Sequence, residues 1–463
     1  MGLAMKSVLC VEKARMLYER WREVVRDRTH EVALREPASE RCWTFGQLDR
    51  QVENLVTGAS ELVCPQGNSA DFVFAVLCGW RQGSVVCPLE PYDRPPSIPL
   101  PPSRCRHLKT IAATNGALQA VAFTEEQLAD DVENIVATMG LRPDWPNLGV
   151  ISLAHSYGFS GLVLPLLLHG IPLTLVPSAL PEVVRRAAQS HPKLTLPAVP
   201  ALWRIWHAAG AIPPNVVLGI SAGAPLPLAL ERAVFAAQGL KIHNFLGASE
   251  CGGISYDPTL VPREDEASVG HLLKNVEAGV NGDGVLVVRS RAVGETYWPN
   301  PSEKLGGGCF QTNDLADLKD GLVCLRGRVG DQINVAGRKI FPAVIEQALR
   351  QHASVMECLV FGVPDETAGR TDVIVACVAP REKGDAAQLR QFLLGKLPGW
   401  QVPREWWFVK SLDANTCGKV SRAEWRGKFL EWRALGSAEG RYRPKTGGFP
   451  EEVVFRQRAG KNA

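Results

Sequence analysis

The segment KIHNFLGASECGGISYD, residues 241–257, places a carboxylate directly after a glycine-containing turn. A strand-like run ends at Gly247-Ala-Ser, and Glu250 follows at once. Proteins commonly bind Mg²⁺ through one or two carboxylates together with the phosphates of a substrate, so Glu250 is a candidate metal ligand. A Ser-Glu pair is also typical of a helix N-terminus, where the serine accepts an amide hydrogen bond. The pattern by itself leaves both interpretations open.

Two segments nearer the C-terminus carry cationic residues beside glycines. In NTCGKVSRAEW, residues 415–425, Lys419 follows a glycine and could reach a phosphate or a carboxylate as a point charge. In GRVGDQINVAGRKIFPAVIE, residues 327–346, a Gly-Arg pair precedes a strand, a glycine turn and a proline-started helix that bears Glu346. Taken singly, the first pattern is typical of a solvated lysine and the second of an ordinary strand–turn–helix.

A third pattern suggests a different chemistry. Gly219-Ile-Ser-Ala-Gly223 matches G-x-S-x-G, the turn that presents the nucleophilic serine of α/β-hydrolases, and would make Ser221 the nucleophile. However, Pro225 and Pro227 lie where the helix of that turn should already be running, and proline is poorly tolerated inside a helix. A hydrolase is therefore the less favoured alternative.

The elements around these segments predict an α/β protein. Residues 11–60 contain two amphipathic helix patterns around CWTFGQL, with Thr44 as a candidate cap of the second, and residues 70–88 predict a helix followed by a strand. From about residue 108 to 256, strand-like and helix-like segments alternate, which favours parallel strands joined by crossover helices. Short strands separated by Gly and Asn/Asp turns, residues 283–326, indicate a β-subdomain.

A new unit begins after the β-subdomain. Its segments read helix, strand, strand, helix, strand, which is an α+β domain of ordinary size. We therefore expect a large N-terminal α/β domain with parallel sheets and a β-subdomain over 1–326, and a small mobile C-terminal α+β domain over 327–436. Residues 437–463 are expected to be a polar, loosely ordered tail.

Composition excludes several classes of protein. Lys and Arg number 51 against 48 Asp and Glu, a net charge of +3 that is too small to indicate a nucleic-acid or anionic-membrane partner. No apolar run approaches the length of a membrane span, and the N-terminus does not resemble a secretory signal. The twelve cysteines include no C-x-x-C pair, so we expect buried, reduced thiols and a cytoplasmic location.

Considered in chain order, the segments resemble the adenylate-forming superfamily of acyl-CoA synthetases, peptide-synthetase adenylation domains and luciferases, from about Trp43 to Trp425. His155-Ser-Tyr-Gly-Phe is similar to the family's His/aromatic segment beside the acyl pocket. Ser221-Ala-Gly-Ala-Pro resembles the adenine-side loop, and Gly247-Ala-Ser-Glu250 the "YGxTE" segment. Phe310-Gln-Thr-Asn-Asp314 is similar to "xxTGD", whose aspartate holds the ribose.

The resemblance implies roles for individual residues. Lys419, Glu250 and His155 would be catalytic, with Glu250 also holding the metal, and Gly330 would be the hinge between the domains. The implied nucleotide-binding residues are Thr114, Gly116, Ser221, Gly223, Ala224, Asn244, Gly247, Ser249, Asp314 and Arg328.

The sequence also departs from the family pattern. The stretch that corresponds to the phosphate loop runs from Ile111 to Gln119. In it, Ala113 replaces a glycine of the family pattern, Leu118 replaces the proline and Gln119 replaces the lysine. Such a loop works by wrapping amides and hydroxyls around a polyphosphate, and Gln119 removes a cation from beside it. Leu246 likewise replaces an aromatic ring that usually stacks on adenine.

The implied activity is that of an acid–thiol ligase. ATP and Mg²⁺ would convert a fatty or aryl carboxylic acid to an acyl-adenylate, and coenzyme A or a carrier-protein thiol would take the acyl group. The apolar residues Phe159, Leu162 and Val163 near His155 predict an apolar acid pocket. The altered phosphate loop supports a second hypothesis, an impaired homologue that binds an acyl group, a nucleotide or a protein partner.

Overall fold

A computed structural model describes residues 16–55, 58, 60–111, 119–335, 338–364, 372–382, 384–412 and 420–438. The chain divides into two compact units, Met1–Leu325 and Arg326–Ala463. The predicted Thr114 and Gly116, in 112–118, and Lys419, in 413–419, lie outside the described residues. Within the part that is described, no helix has both the length and the apolar character that crossing a membrane requires.

The described strands of the first unit, with β19 extending to Arg328, are β1 Val32–Glu36, β2 Arg41–Thr44, β3 Leu62–Val63, β4 Val85–Val86, β5 His107–Ile111, β6 Gln119–Phe123, β7 Asn147–Gly149, β8 Leu173–Leu175, β9 Leu194–Ala198, β10 Val216–Ser221, β11 Ile242–Ala248, β12 Gly252–Tyr256, β13 Ser268–Leu272, β14 Glu277–Val280, β15 Val285–Arg289, β16 Thr296–Trp298, β17 Leu305–Gly306, β18 Cys309–Lys319 and β19 Leu322–Arg328. Its α-helices are Met16–Arg28, Phe45–Asn54, Ala70–Gln82, Glu125–Met139, Ser156–Gly158, Leu164–His169, Pro181–Ala188, Pro200–Ala208 and Leu228–Gln238.

These strands form two sheets. The larger sheet has fourteen described strands in the order β14-β15-β18-β19-β13-β12-β11-β10-β9-β7-β8-β1-β2, with β17 beside β18. The run from β11 to β1 is parallel, as predicted from the alternation of strand and helix patterns. The predicted β-subdomain strands continue this sheet through antiparallel pairs instead of standing apart from it. The fold class is therefore confirmed.

The second sheet has the order β16-β6-β5-β4-β3. Strands β5 and β6 pair antiparallel, with Ile111 opposite Gln119, so they flank the stretch that corresponds to the phosphate loop. Strand β16 is contributed from far along the chain and pairs with β6. Sequence analysis identified neither this pairing nor the β1–β2 hairpin, which lies between the first two helices.

Local chemistry explains several element boundaries. Helix Phe45–Asn54 is capped by Thr44, whose side chain accepts a hydrogen bond from the Gln47 amide while the Gln47 side chain accepts one from the Thr44 amide, which confirms the predicted cap. Helix Pro200–Ala208 packs Trp203 against β10, where a Cβ at Gly219 would lie 3.0 Å from the indole ring. The Trp203 indole N–H donates to the Ile220 carbonyl at 3.2 Å and so fixes the end of β10.

The second unit contains the turn Val329–Asp331, the hairpin β20 Ile333–Val335 and β21 Arg338–Ile340, and the sheet of β22 Val355–Pro364, β23 Asp372–Pro380 and β24 Glu405–Phe408. Its α-helices are Pro342–Arg350, Ala386–Leu394 and Arg422–Ala438. The order helix, strand, strand, helix, strand agrees with the sequence prediction, whereas the strand β21 and the helix Arg422–Ala438 were not anticipated.

A partly buried ionic cluster joins three elements of this second unit. Arg422 donates to Glu346 at 2.6 Å and to the Val360 carbonyl at 2.8 Å, and it also pairs with Asp331. Glu346 in turn accepts the Val360 amide at 2.8 Å. The cluster ties the first residue of helix Arg422–Ala438 to the helix that bears Glu346 and to the turn that contains Gly330.

The expectation of uniformly buried thiols was wrong in part. Ten described cysteines form no disulfide, and most of them are buried in the apolar interior, but Cys42 is exposed and Cys64, Cys309 and Cys324 are half-buried. Cys42 lies on β2 at the end of the larger sheet, and no residue of this short strand is fully buried.

Candidate active site

Two of the predicted nucleotide-binding residues lie side by side on neighbouring parallel strands. Ser221 ends β10 and is in register with Asn244 on β11. The Ser221 side chain is fully buried and its hydroxyl has no hydrogen-bond partner among the described residues. Asn244 is also buried and donates to the Ser268 carbonyl at 3.4 Å. In open α/β sheets, ligands bind beyond the carboxyl ends of such strands, which makes this strand end a candidate cleft.

The loop after β10 does not have the geometry of a hydrolase nucleophile. Gly223 has a φ of 84°, a left-handed conformation that favours glycine, and Ala224 follows it in the same loop. The next helix begins only at Leu228, so Ser221 is not at a sharp strand-to-helix turn. Since the Ser221 hydroxyl is also buried, the structure does not support the alternative of an exposed nucleophile.

Glu250 lies at the tip of a β-hairpin and not at a helix N-terminus. Strands β11 and β12 pair antiparallel with Gly247 opposite Gly253, and a Cβ at Gly247 would approach the Gly252 carbonyl to 3.0 Å. Ser249 and Glu250 form the turn between them, which the Cys251 amide closes on the Ala248 carbonyl at 3.3 Å. The helix-cap interpretation of this pair was therefore wrong.

The Glu250 turn is held by a residue that sequence analysis missed. The Tyr297 hydroxyl, on β16, donates to Glu250 Oε1 at 3.1 Å. Burial, together with the negative charge of Glu250, raises the pKa of Tyr297 above its usual range, so the phenol stays protonated and acts as a donor. The two residues are far apart in sequence, and no local pattern indicates their contact.

A second missed group is a buried ion pair below the same turn. Lys109 on β5 lies 3.7 Å from an Asp131 carboxylate oxygen and donates to the Ser160 hydroxyl at 3.2 Å. Ser160 donates to Asp131 at 2.6 Å, and the other Asp131 oxygen accepts the Gly253 amide at 3.0 Å. A lysine inside the apolar strand HLKTI was the available signal, because a buried cation requires an anionic partner.

His155 caps a short helical turn. Its Nδ1 accepts the Tyr157 amide at 3.2 Å, so the neutral ring carries its proton on Nε2. Phe159, Leu162 and Val163 are fully buried in the core, so they do not themselves line an open pocket. A cavity of about 10 Å³, enough for roughly one water, lies nearby and is lined by Ile135, Met139, Leu141, Asn147, Tyr157, Gly161, Pro197, Ile220 and Phe245.

A bulge in β18 sets the direction of Asp314. Along β15, Val287 pairs with Gln311 and Val285 with Leu315, so β18 carries extra residues between the two pairs. Thr312 stabilises the bulge, because its hydroxyl donates to the Leu286 carbonyl at 2.9 Å and accepts the Asp314 amide at 3.0 Å. Bulges of this kind redirect side chains and are common beside active sites.

The second unit carries the predicted Arg328 and Gly330. Arg328 ends β19, and Gly330 lies in the turn Val329–Asp331. A Cβ at Gly330 would meet no atom within 4 Å, so its surroundings leave room for a larger residue.

Metal-ligand clusters are absent from the part of the chain that is described, where no three His, Cys, Asp or Glu residues converge. A single half-buried carboxylate such as Glu250 fits Mg²⁺, which keeps several waters and completes its shell with substrate phosphates. The same donor set does not fit a structural zinc site, which needs four protein ligands.

Comparison with known sequences decides the family. The AMP-binding enzyme family matches residues 113–298, and the AMP-binding enzyme C-terminal domain matches residues 344–419, together more than half of the chain. The chain belongs to the adenylate-forming, AMP-binding enzyme family. The two matches fall in the same order as the motifs that suggested it.

Two relatives by sequence are named as a CoA ligase and a CoA synthase. A long-chain-fatty-acid–CoA ligase of Bacillus subtilis is 23% identical over 339 residues, covering 68% of this chain and 60% of the ligase. A feruloyl-CoA synthase of an Amycolatopsis species is 26% identical over 358 residues, covering 73% of this chain and 72% of the synthase. The chain thus spans less than two thirds of the Bacillus enzyme.

Solved structures show the same fold. ATP-bound MatB from Rhodopseudomonas palustris superposes with a TM-score of 0.79 at 20% identity, over 91% of this chain and 99% of MatB. The anthranilate–CoA ligase AuaEII in complex with anthranoyl-AMP gives a TM-score of 0.77 at 19% identity, over 90% of this chain and 98% of that enzyme.

Proposed function

We propose that this member of the adenylate-forming family activates a carboxylic acid with ATP and passes the acyl group to coenzyme A or a carrier-protein thiol. The observation that supports it best is the position of Glu250 at the tip of the β11–β12 hairpin, held by Tyr297 and continuous with the strand that carries Asn244. The names of the relatives, a fatty-acid ligase and a feruloyl-CoA synthase, support a fatty or aryl acid as the substrate.

The first half-reaction makes an electrophile from an unreactive carboxylate. A carboxylate oxygen attacks the α-phosphorus of ATP, the bond to the bridging oxygen breaks, and pyrophosphate leaves. The protein contributes mainly positioning and charge neutralisation. Glu250 would hold Mg²⁺, which supplies neutralisation of the phosphate charges when it is bound. Lys419 would bridge the acid and the α-phosphate as negative charge builds.

Further residues would hold the nucleotide. Asp314 and Arg328 would bind the ribose hydroxyls. The buried Ser221 hydroxyl and the Asn244 amide lie at the strand end where the adenine is expected, as do Gly223 and Ala224. Thr114, Gly116, Gly247 and Ser249 complete the proposed nucleotide set, and His155 would adjoin the acid.

In the second half-reaction a thiol sulfur attacks the acyl carbonyl carbon, AMP leaves with the bridging oxygen, and the thiol proton is released. We propose that rotation near Gly330 removes Lys419 from the site before this step. The free cysteines suit a reducing compartment such as the cytoplasm.

Pyrophosphate release with a panel of fatty and aryl acids tests the first half-reaction. The parent protein should release pyrophosphate with at least one acid, and Lys419→Ala should lower kcat far more than it weakens substrate binding. Lys410→Ala, which removes an exposed lysine of the same unit, is the matched control. If Lys419→Ala turns over at the parent rate, the assignment of Lys419 is wrong.

A second candidate function follows from Gln119. This residue begins β6 opposite Ile111, where the family's phosphate loop has a lysine, and its amide carries no charge for the leaving pyrophosphate. An impaired homologue would bind an acyl-adenylate analogue but release no pyrophosphate with any acid. Calorimetric titration with a non-hydrolysable acyl-adenylate analogue, run beside the turnover assay, separates the two functions.

A further inference from the structure

One row of the second sheet faces the Glu250 turn. Lys109 on β5 is in register with Val121 on β6, and Val121 is in register with Tyr297 on β16. Directly opposed residues on antiparallel strands share a face of the sheet. Lys109 and Tyr297 therefore project from the same face. Tyr297 contacts Glu250 directly, whereas Lys109 acts on Gly253 through Asp131.

Tyr297 and a residue just before its strand hold Glu250 through two hydrogen bonds. The Tyr297 hydroxyl donates to Glu250 Oε1 at 3.1 Å, and the Gly294 amide donates to the Glu250 carbonyl at 2.8 Å. Both the side chain and the main chain of Glu250 are thus fixed by one short segment.

That segment is itself anchored to the second sheet and to a helix. The Glu295 amide donates to the Ala122 carbonyl at 2.8 Å, and Gln127, near the start of helix Glu125–Met139, donates to the Glu295 carboxylate at 3.3 Å. Arg104 forms an ion pair with the same carboxylate. The segment is therefore a fixed support for Glu250.

The other end of the turn is fixed by the buried ion pair. Asp131 accepts the Gly253 amide at 3.0 Å while Lys109 and Ser160 hold its second oxygen. Gly252 has a φ of 70°, and a Cβ there would stand 2.0 Å from the Asp131 carboxylate. The close approach of helix and turn leaves Glu250 little freedom to move along the hairpin.

This geometry orients the carboxylate. The Tyr297 hydroxyl occupies Oε1, and among the described residues no other hydrogen bond to the Glu250 carboxylate is found. Oε2 is therefore left for a cation. We propose that Tyr297 is a positioning residue that orients Glu250 toward the Mg²⁺ of Mg·ATP. The inference rests on the proposed function, which assigns the ion to Glu250.

The test compares the affinity of the full-length protein for ATP with and without metal. Calorimetric titration in the absence of acid gives the dissociation constant of ATP in Mg²⁺ buffer and in EDTA. The ratio of the EDTA value to the Mg²⁺ value measures what the metal contributes to ATP binding. Residues that orient metal ligands typically change metal affinity or activity by about 10- to 100-fold when they are replaced. We expect Tyr297→Phe, which removes only the hydroxyl, to reduce the ratio by about tenfold or more.

Matched variants separate this inference from the proposed function. Tyr18→Phe removes a phenol from the buried face of helix Met16–Arg28 and should keep the parent ratio. Glu250→Gln should abolish the metal effect, and adding Tyr297→Phe to it should change nothing further, because Tyr297 acts through Glu250.

Each remaining outcome counts against a specific statement. A parent-like ratio for Tyr297→Phe beside a collapsed ratio for Glu250→Gln would overturn the role of Tyr297 alone. Independent, multiplicative effects of the two substitutions would overturn it as well. A parent-like ratio for Glu250→Gln would remove the metal assignment, and the positioning role with it.

Discussion

Several charged or polar side chains of this protein are buried away from water. Lys109 and Asp131 neutralise each other inside the first unit, whereas the Ser221 hydroxyl has no partner among the described residues. Unpaired buried polar groups are costly, so they are expected where a ligand supplies the missing partner. Ser221 at the end of β10 is such a position.

A cation at position 119 should strengthen ATP use. Gln119 is half-buried at the start of β6, and Gln119→Lys places an ammonium group where the resemblance implies the lysine of the phosphate loop. A hydrogen bond to a charged group contributes about 1.5–3 kcal/mol, so kcat/KM for ATP should rise by roughly 10- to 100-fold. Gln119→Met, similar in length but uncharged, is the control. A Lys variant no faster than the Met variant in pyrophosphate release would show that this position does not contact the polyphosphate.

Glu125 should make stability depend on pH. Burial raises the pKa of Glu125 to about 7, against which the Leu17 amide hydrogen bond acts only partly. The folded protein therefore holds a proton that the unfolded chain, with a value near 4.5, releases. This stabilisation is complete below the lower pKa and is lost as pH rises toward 7.

The measurement is the free energy of unfolding in urea, determined for the parent and for Glu125→Gln at pH values from below 4.5 to above 7. The variant stays neutral, so above pH 7 it should be more stable than the parent by at most about 3 kcal/mol, while the two should converge in acid. A difference that does not vary with pH would contradict the assignment.

At the scale of elements, the sequence predicted what local patterns determine. Residues close together in sequence determine the capping box at Thr44. They also determine the alternation of strand and helix patterns that produces the parallel strands β7 to β11. The contact of Tyr297 with Glu250 and the bulge that directs Asp314 were not predictable, because each depends on the register of strands that are distant in the chain. The resemblance supplied the proposed site residues, which stay predictions, and it gave no indication of the contacts that hold them.

The buried Lys109–Asp131 pair should be essential to the packing of helix Glu125–Met139. Asp131→Ala leaves Lys109 charged and unpaired in the interior and removes the acceptor of the Gly253 amide. Breaking a buried pair in this way typically costs about 3–5 kcal/mol, which urea unfolding would detect. Glu133→Ala, on the exposed side of the same helix, should cost little. Equal stabilities of the two variants would contradict the role given to the pair.

At the scale of the whole molecule, two compact units meet in sequence between Leu325 and Arg326, and the proposed reaction needs both. The first unit carries Glu250 and Asp314, whereas Arg328, Gly330 and Lys419 belong to the second. The AMP-binding enzyme match, residues 113–298, lies in the first unit, and the match of the C-terminal domain, residues 344–419, lies in the second.

Gly330 should control the second half-reaction more than the first. The space around Gly330 is open, so Gly330→Ala should be tolerated, whereas Gly330→Pro restricts the backbone rotation that the proposed hinge requires. Pyrophosphate release in a single turnover should stay near the parent rate for both variants, and thioester formation should fall by roughly tenfold or more only for the proline variant. Equal losses in both half-reactions would argue against a hinge at this position.

The proposed function depends most on the attack of an oxygen atom of the acid on the α-phosphorus. Turnover of an acid labelled with heavy oxygen in its carboxylate, in the presence of ATP and a thiol acceptor, tests it by mass spectrometry of the products. We predict AMP that carries one labelled oxygen, together with unlabelled pyrophosphate. Label in inorganic phosphate with release of ADP, or AMP without label, would contradict the formation of an acyl-adenylate.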